Sequence, residues 1–144
     1  MFSFSKELIM KELTTKANVE CLDTVTSFID EELEALGCPP KAQIQIDVAI
    51  DEIFSNIAYY AYEDGNGLVT VQIEKSEDSP GVNITFIDSG TPYDPLKRED
   101  PDTTLSASDR QIGGLGIFIV KKTMDSVIYE YKDGHNILRI FKLF

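Results

Sequence analysis

"DVAIDEIFSNIAYYAY", residues 47–62, decides how the chain folds. At about 100° per residue, Ile46 just before it and then Ile50, Ile53, Ile57 and Tyr60 gather on one arc of a helix. Asp47, Asp51 and Ser55 take the opposite arc, so one side needs a packing partner and the other meets water. Glu52 and Asn56 fall at the boundary, neighbours at i and i+4. Polar groups at the edge of a core form either an ordinary solvated flank or the wall of a cavity, partly desolvated and still reachable. The helix alone does not separate the two.

Working outward, Asn18 is placed to cap a helix through "VECLDTVTSFIDEELEALG", where Val19, Leu22, Val25, Phe28, Ile29, Leu33 and Leu36 recur at helical spacing. Gly37 and the prolines at 39–40 stop it. "KELIMKELTT" (6–15) reads as a strand before it. Downstream of the turn signal "EDGNG" (63–67), "LVTVQIE" alternates Val69, Val71 and Ile73 with Thr70, Gln72 and Glu74. "VNITFID" alternates Val82, Ile84 and Phe86 with Asn83 and Thr85, which makes an antiparallel hairpin with one wet face. "GGLGIFIVKKTM" opens a third helix, and "SVIYEYK", a "DGHN" turn and "ILRIFKLF" form a last hairpin. The order β-α-α-β-β-segment-α-β-β predicts an α+β fold: a two-layer sandwich of a mixed, mostly antiparallel sheet with helices on one face.

Composition narrows the function. One domain over residues 1–144 is the expected organisation, a length that buries roughly 70% of the unfolded surface. Residues 1–15 carry Glu7 and Glu12 and lack an apolar core, so they do not read as a signal peptide, and no run is long enough to span a bilayer. Cys21 and Cys38 lack CxxC spacing and histidine companions, which favours reduced thiols and a cytoplasmic protein. The net charge of −12, from 25 acidic and 13 basic residues, shows no basic stripe and speaks against nucleic acid as a partner. The same charge opposes anionic ligands at long range, so a bound nucleotide would lean on a divalent metal and backbone N–H groups.

Three short motifs bear on chemistry, and each has a plain structural alternative. Glu52 and Asn56 are the first. The second is "FIDSGTPYD" (86–94), where Asp88 and Gly90 either make a turn or offer an acceptor and a close backbone approach to a ligand. The third is "GGLG" (113–116), closely spaced glycines at a helix start, which either loosen the chain or let N–H groups wrap an anion. Between the last two lies "TPYDPLKREDPDTTLSASDRQI" (91–112), aperiodic and with three prolines, of the kind that serves as a lid ordering around its ligand.

In this order the three resemble the asparagine box and the two glycine boxes of the GHKL ATPases, the superfamily of gyrase and the histidine kinases. The resemblance covers about residues 44–132, and wordings such as "DEIFSNIAYYAY", "DSGTPYDP" and "GGLGIFIVKKTMD" are similar to the anti-sigma factor serine/threonine kinase branch. It implies the Bergerat fold, ATP and Mg²⁺ as cofactors, and transfer of the γ-phosphoryl group to a serine or threonine. Residue by residue, it implies Asn56 as the Mg²⁺ ligand and Glu52 as the catalytic base. Asp88 would read the adenine amine, with Gly90 leaving room for the ring. Gly113, Gly114, Leu115 and Gly116 would hold the phosphates. Its implied partners are an anti-sigma-antagonist protein as substrate and a sigma factor, with a homodimer compatible and neither nucleic acid nor membrane required. Where relatives often carry a basic residue and a histidine after the asparagine box, this chain has Tyr59 and Tyr60, and Arg110 is the candidate replacement charge. A nucleotide-dependent binding switch with little or no transfer is the alternative. His135, in the "DGHN" turn, reads as a surface residue rather than a phosphate acceptor.

Overall fold

The structure, a computed structural model, describes residues 10–97 and 114–144. Its elements are β1 (Lys11–Lys16), α1 (Leu22–Ala35), α2 (Pro40–Tyr60), β2 (Leu68–Lys75), β3 (Gly81–Asp88), α3 (Gly114–Thr123), β4 (Ser126–Lys132) and β5 (His135–Leu143). The strands form one sheet in the order β1-β2-β3-β5-β4, and each of its four pairings is antiparallel. This is the α+β sandwich expected from the alternation of apolar residues.

Local chemistry sets the boundaries. Asn18 accepts from the Glu20 N–H and opens a short 3₁₀ turn at Val19–Cys21 that leads into α1. At the other end Gly37 takes φ 77°, its N–H bonds to Glu34, and the Cys38 N–H reaches back to Leu33. That pattern satisfies the last carbonyls of α1 and needs a residue free of a Cβ. Pro40 then starts α2, where its missing N–H costs nothing. In the final hairpin Asp133 and Gly134 both have positive φ (53° and 81°), the geometry a two-residue turn needs to match the twist of β4 and β5.

The core lies between sheet and helices. Val71, Ile84, Phe86 and Ile140 face Val25, Ile29 and Leu33 of α1 and Ile46, Ile50 and Ile53 of α2, all in one buried cluster. Each such side chain contributes about 1.5–3 kcal/mol by leaving water. Several positions depart from the sequence pattern, among them Tyr60, assigned to the packing arc of α2 and 66% exposed. Thr85, assigned to the wet face of the sheet, is buried because Arg139 lies over it and donates from Nε to its Oγ1 at 3.1 Å. Asp47, assigned to the solvated arc of α2, is half-buried because α1 covers that side and brings Asp30 against it. One oxygen of each of these two carboxyls is buried without a hydrogen bond. Burial, and then the approach of Asp30, push the Asp47 carboxyl up to about 7.

Candidate functional site

A cavity of about 480 Å³, counting its open mouth, lies between α2, α3 and the end of the sheet. Ile53, Ile57, Phe86, Ile117 and Leu138 supply its apolar walls, and Asn56 and Asp88 are among the polar groups that reach it. The two sides have different origins: Asn56 comes from the flank of α2, Asp88 from the last residue of β3.

At the sheet end, Asp88 is only 5% exposed and its register partner on β5 is Asn136, 6% exposed. Asp88 Oδ1 accepts from the Gly90 N–H at 2.8 Å and from Asn136 Nδ2 at 2.9 Å. Among the described residues its Oδ2 has no such bond, so one charged acceptor remains for a ligand. Asn136 works with both ends of its amide. Nδ2 also donates to the carbonyls of Gly90 and Thr91, and Oδ1 accepts from the Tyr129 hydroxyl and the Tyr93 N–H. Burial pushes the Tyr129 phenol up, which keeps it a donor. Tyr62 adds a second tie, accepting from the Ser89 N–H at 2.8 Å and donating to the Leu68 carbonyl at 2.6 Å.

Gly90 has a further reason to be glycine. A Cβ there would fall 2.2 Å from the backbone oxygen of Ala61, just past α2, and the Thr91 N–H bonds that same oxygen at 2.7 Å. The close approach is to the protein's own backbone. Residues 91–97, the start of the expected lid, are thereby fastened, with Pro95 buried and Tyr93 tied to Asn136.

At the helix end, Glu52 and Asn56 are both half-buried and one turn apart, as the helical spacing required. Gly114 begins α3, followed by Leu115 and Gly116. Gly116 lies so close to Glu52 that a Cβ on it would meet the carboxylate carbon at 1.9 Å. Helix α3 therefore brings its N-terminal turn, where N–H groups point at anions, beside the carboxylate of α2. Arg110, Gly113 and positions 98–112 of the expected lid lie outside the described residues. Tyr59 and Tyr60 are both 66% exposed at the end of α2. His135 is exposed, and Cys21 and Cys38 are free and half-buried.

Asn136 and Tyr129 lie outside the three motifs, and Tyr62, the last residue of "DEIFSNIAYYAY", has no role assigned from the sequence. Asn136 stands 48 positions from Asp88, and only the β3–β5 register joins them.

The architecture and the motifs converge on a known family. Residues 15–142 match the family model for the histidine kinase-like ATPase domain. The chain belongs to that family. The chain is 25% identical over 100 residues to the serine/threonine-protein kinase BtrW of Bordetella bronchiseptica, covering 69% of this chain and 70% of that one. It is 29% identical over 107 residues to the serine-protein kinase RsbW of Listeria monocytogenes serovar 1/2a, covering 71% and 67%. Among solved structures it resembles the RsbU and RsbW domains of a Mycobacterium tuberculosis protein, with TM-score 0.64 and 16% identity. That match covers 94% of this chain and 32% of the longer one, and it bears on the fold. Among the described residues no helix is long and apolar enough to cross a membrane.

Proposed function

We propose that this chain is an ATP-dependent serine/threonine protein kinase of the anti-sigma factor type. The observation that carries the reading is the placement of Asp88 and Asn56 on one cavity, with Glu52 one turn before Asn56 on α2 and against Gly116 in the first turn of α3. Two kinase relatives at 25–29% identity support the reaction class. The substrate would be an antagonist protein with a phosphorylatable serine or threonine, and a sigma factor would be the regulated partner.

The residues fit the nucleotide. Asp88 Oδ2 is an unfilled charged acceptor next to apolar walls, suited to an exocyclic amine on a flat base. Asn56 offers a hard carboxamide oxygen of the kind Mg²⁺ accepts, and bound Mg²⁺ would neutralise phosphate charge on a chain of net charge −12. The N–H groups at Gly114, Leu115 and Gly116 suit phosphate oxygens. Glu52 would orient the attacking hydroxyl and take its proton, while the site holds donor and acceptor in line. Gly113 and Arg110 complete the proposed phosphate side.

Incubation with γ-labelled ATP, Mg²⁺ and candidate antagonist proteins tests the proposal. Label on a serine or threonine of one of them is expected. ATP-dependent partner binding without any transfer would replace the kinase by a binding switch.

A further inference from the structure

Gly116 is the third residue of α3. A Cβ placed on it would lie 1.9 Å from Glu52 Cδ and 2.1 and 2.2 Å from the two carboxylate oxygens. No side chain tolerates such distances, so something would have to move. What would move is the tip of a flexible side chain, and the backbones of α2 and α3 could stay where they are. Alanine favours a helix more than glycine does and keeps the same backbone N–H. A methyl group at 116 thus spares the fold and the anion-facing donor, and displaces the carboxylate.

We infer that Gly116 is a positioning residue for Glu52: its missing side chain lets the first turn of α3 fix the carboxylate on α2 at the place from which it acts. The inference rests on Glu52 being the base, and it gives Gly116 a purpose distinct from phosphate binding.

The test is Gly116→Ala, alone and with Glu52→Gln. In Gly116→Ala the melting temperature should hold and ATP affinity should stay within about threefold, while transfer falls roughly thirty- to a hundredfold. The double variant should transfer no more slowly than Glu52→Gln alone, because there is no base left to displace. The ¹³C carboxyl resonance of Glu52, assigned by its loss in Glu52→Gln, should move in Gly116→Ala. If the alanine lowers the melting temperature instead, Glu52→Asp, one methylene shorter, should restore it by vacating the space.

Transfer within about threefold of wild type, or an unmoved Glu52 resonance, overturns the inference and leaves the kinase reading standing. So does an ATP affinity that falls as far as transfer does, which would make Gly116 a matter of nucleotide fit. So does a loss of stability that Glu52→Asp fails to repair. If Glu52→Gln transfers at the wild-type rate, the base assignment fails, and the resonance alone then upholds the contact by moving or refutes it by staying.

Discussion

The two sides of the candidate site are built on different plans. Around Asp88 every neighbour is tied: Asn136 holds the carboxylate, the Gly90 and Thr91 carbonyls and Tyr129, and Gly90 presses on the backbone of Ala61. Around Glu52 one constraint is a tight fit between the end of a flexible side chain and the missing side chain of Gly116. A satisfied buried network specifies a single geometry, which suits recognition of a flat base. The end of a long side chain can shift while the backbone stays in place, which suits a group that must meet a second substrate.

The largest effect that could break this contrast is on folding. Gly90→Ala would drive a methyl group into the Ala61 carbonyl, where no side chain can yield. Overpacking of this kind costs about 1–3 kcal/mol, so the melting temperature should fall by roughly 5–10 °C. A melting curve like that of wild type would show that the sheet end is as adaptable as the helix end.

Asp88→Asn sharpens the contrast at a smaller scale. It replaces a charged acceptor by an amide half of which is a donor, and hydrogen bonds to charged groups are worth about 1.5–3 kcal/mol. ATP affinity by titration calorimetry should drop by roughly ten- to a hundredfold, and the preference for ATP over GTP should shrink. An unchanged preference would remove Asp88 from base recognition.

The smallest expected effect lies outside the cavity, where α1 meets α2. Asp47 titrates at about 7 in the fold against 3.8 for an ordinary aspartate, because burial and Asp30 favour its neutral form. Its raised value means that stability is fully present below about pH 4 and is lost as pH rises through 7. The group is partly open to solvent, which trims the effect to about 1 kcal/mol. Asp47→Asn should therefore raise the melting temperature by roughly 3–5 °C at pH 8 and leave it unchanged near pH 4. Equal gains at both pH values would mean that the pair's ionisation is irrelevant to stability.

Much of this was legible in the sequence, for identifiable reasons. Ile46, Ile50 and Ile53 repeat at helical spacing, and the two hairpins alternate, so element order and the sandwich followed from local periodicity. Glu52 and Asn56 are one turn apart on any helix. What local pattern cannot carry is contact between elements. A helical wheel gave Asp47 to solvent because it has no knowledge of α1. The Asn136 amide lies in a turn signal and gains its meaning only from the β3–β5 register. Gly90 read as room for a ligand and Gly116 as a source of phosphate-binding N–H groups, and the crowding that a side chain would meet at either, from Ala61 and from Glu52, is a contact between elements.

Glu52→Gln tests the account most directly, with ATP affinity and transfer to a protein serine or threonine measured on the same sample. The substitution keeps the shape beside Gly116 and removes the base. A carboxylate near the terminal phosphate repels bound nucleotide, so affinity should be kept or slightly improved, while transfer falls by roughly a hundredfold or more. Transfer undiminished in Glu52→Gln would contradict the assignment of the base, and with it the division of the site into a recognising side and a reacting side.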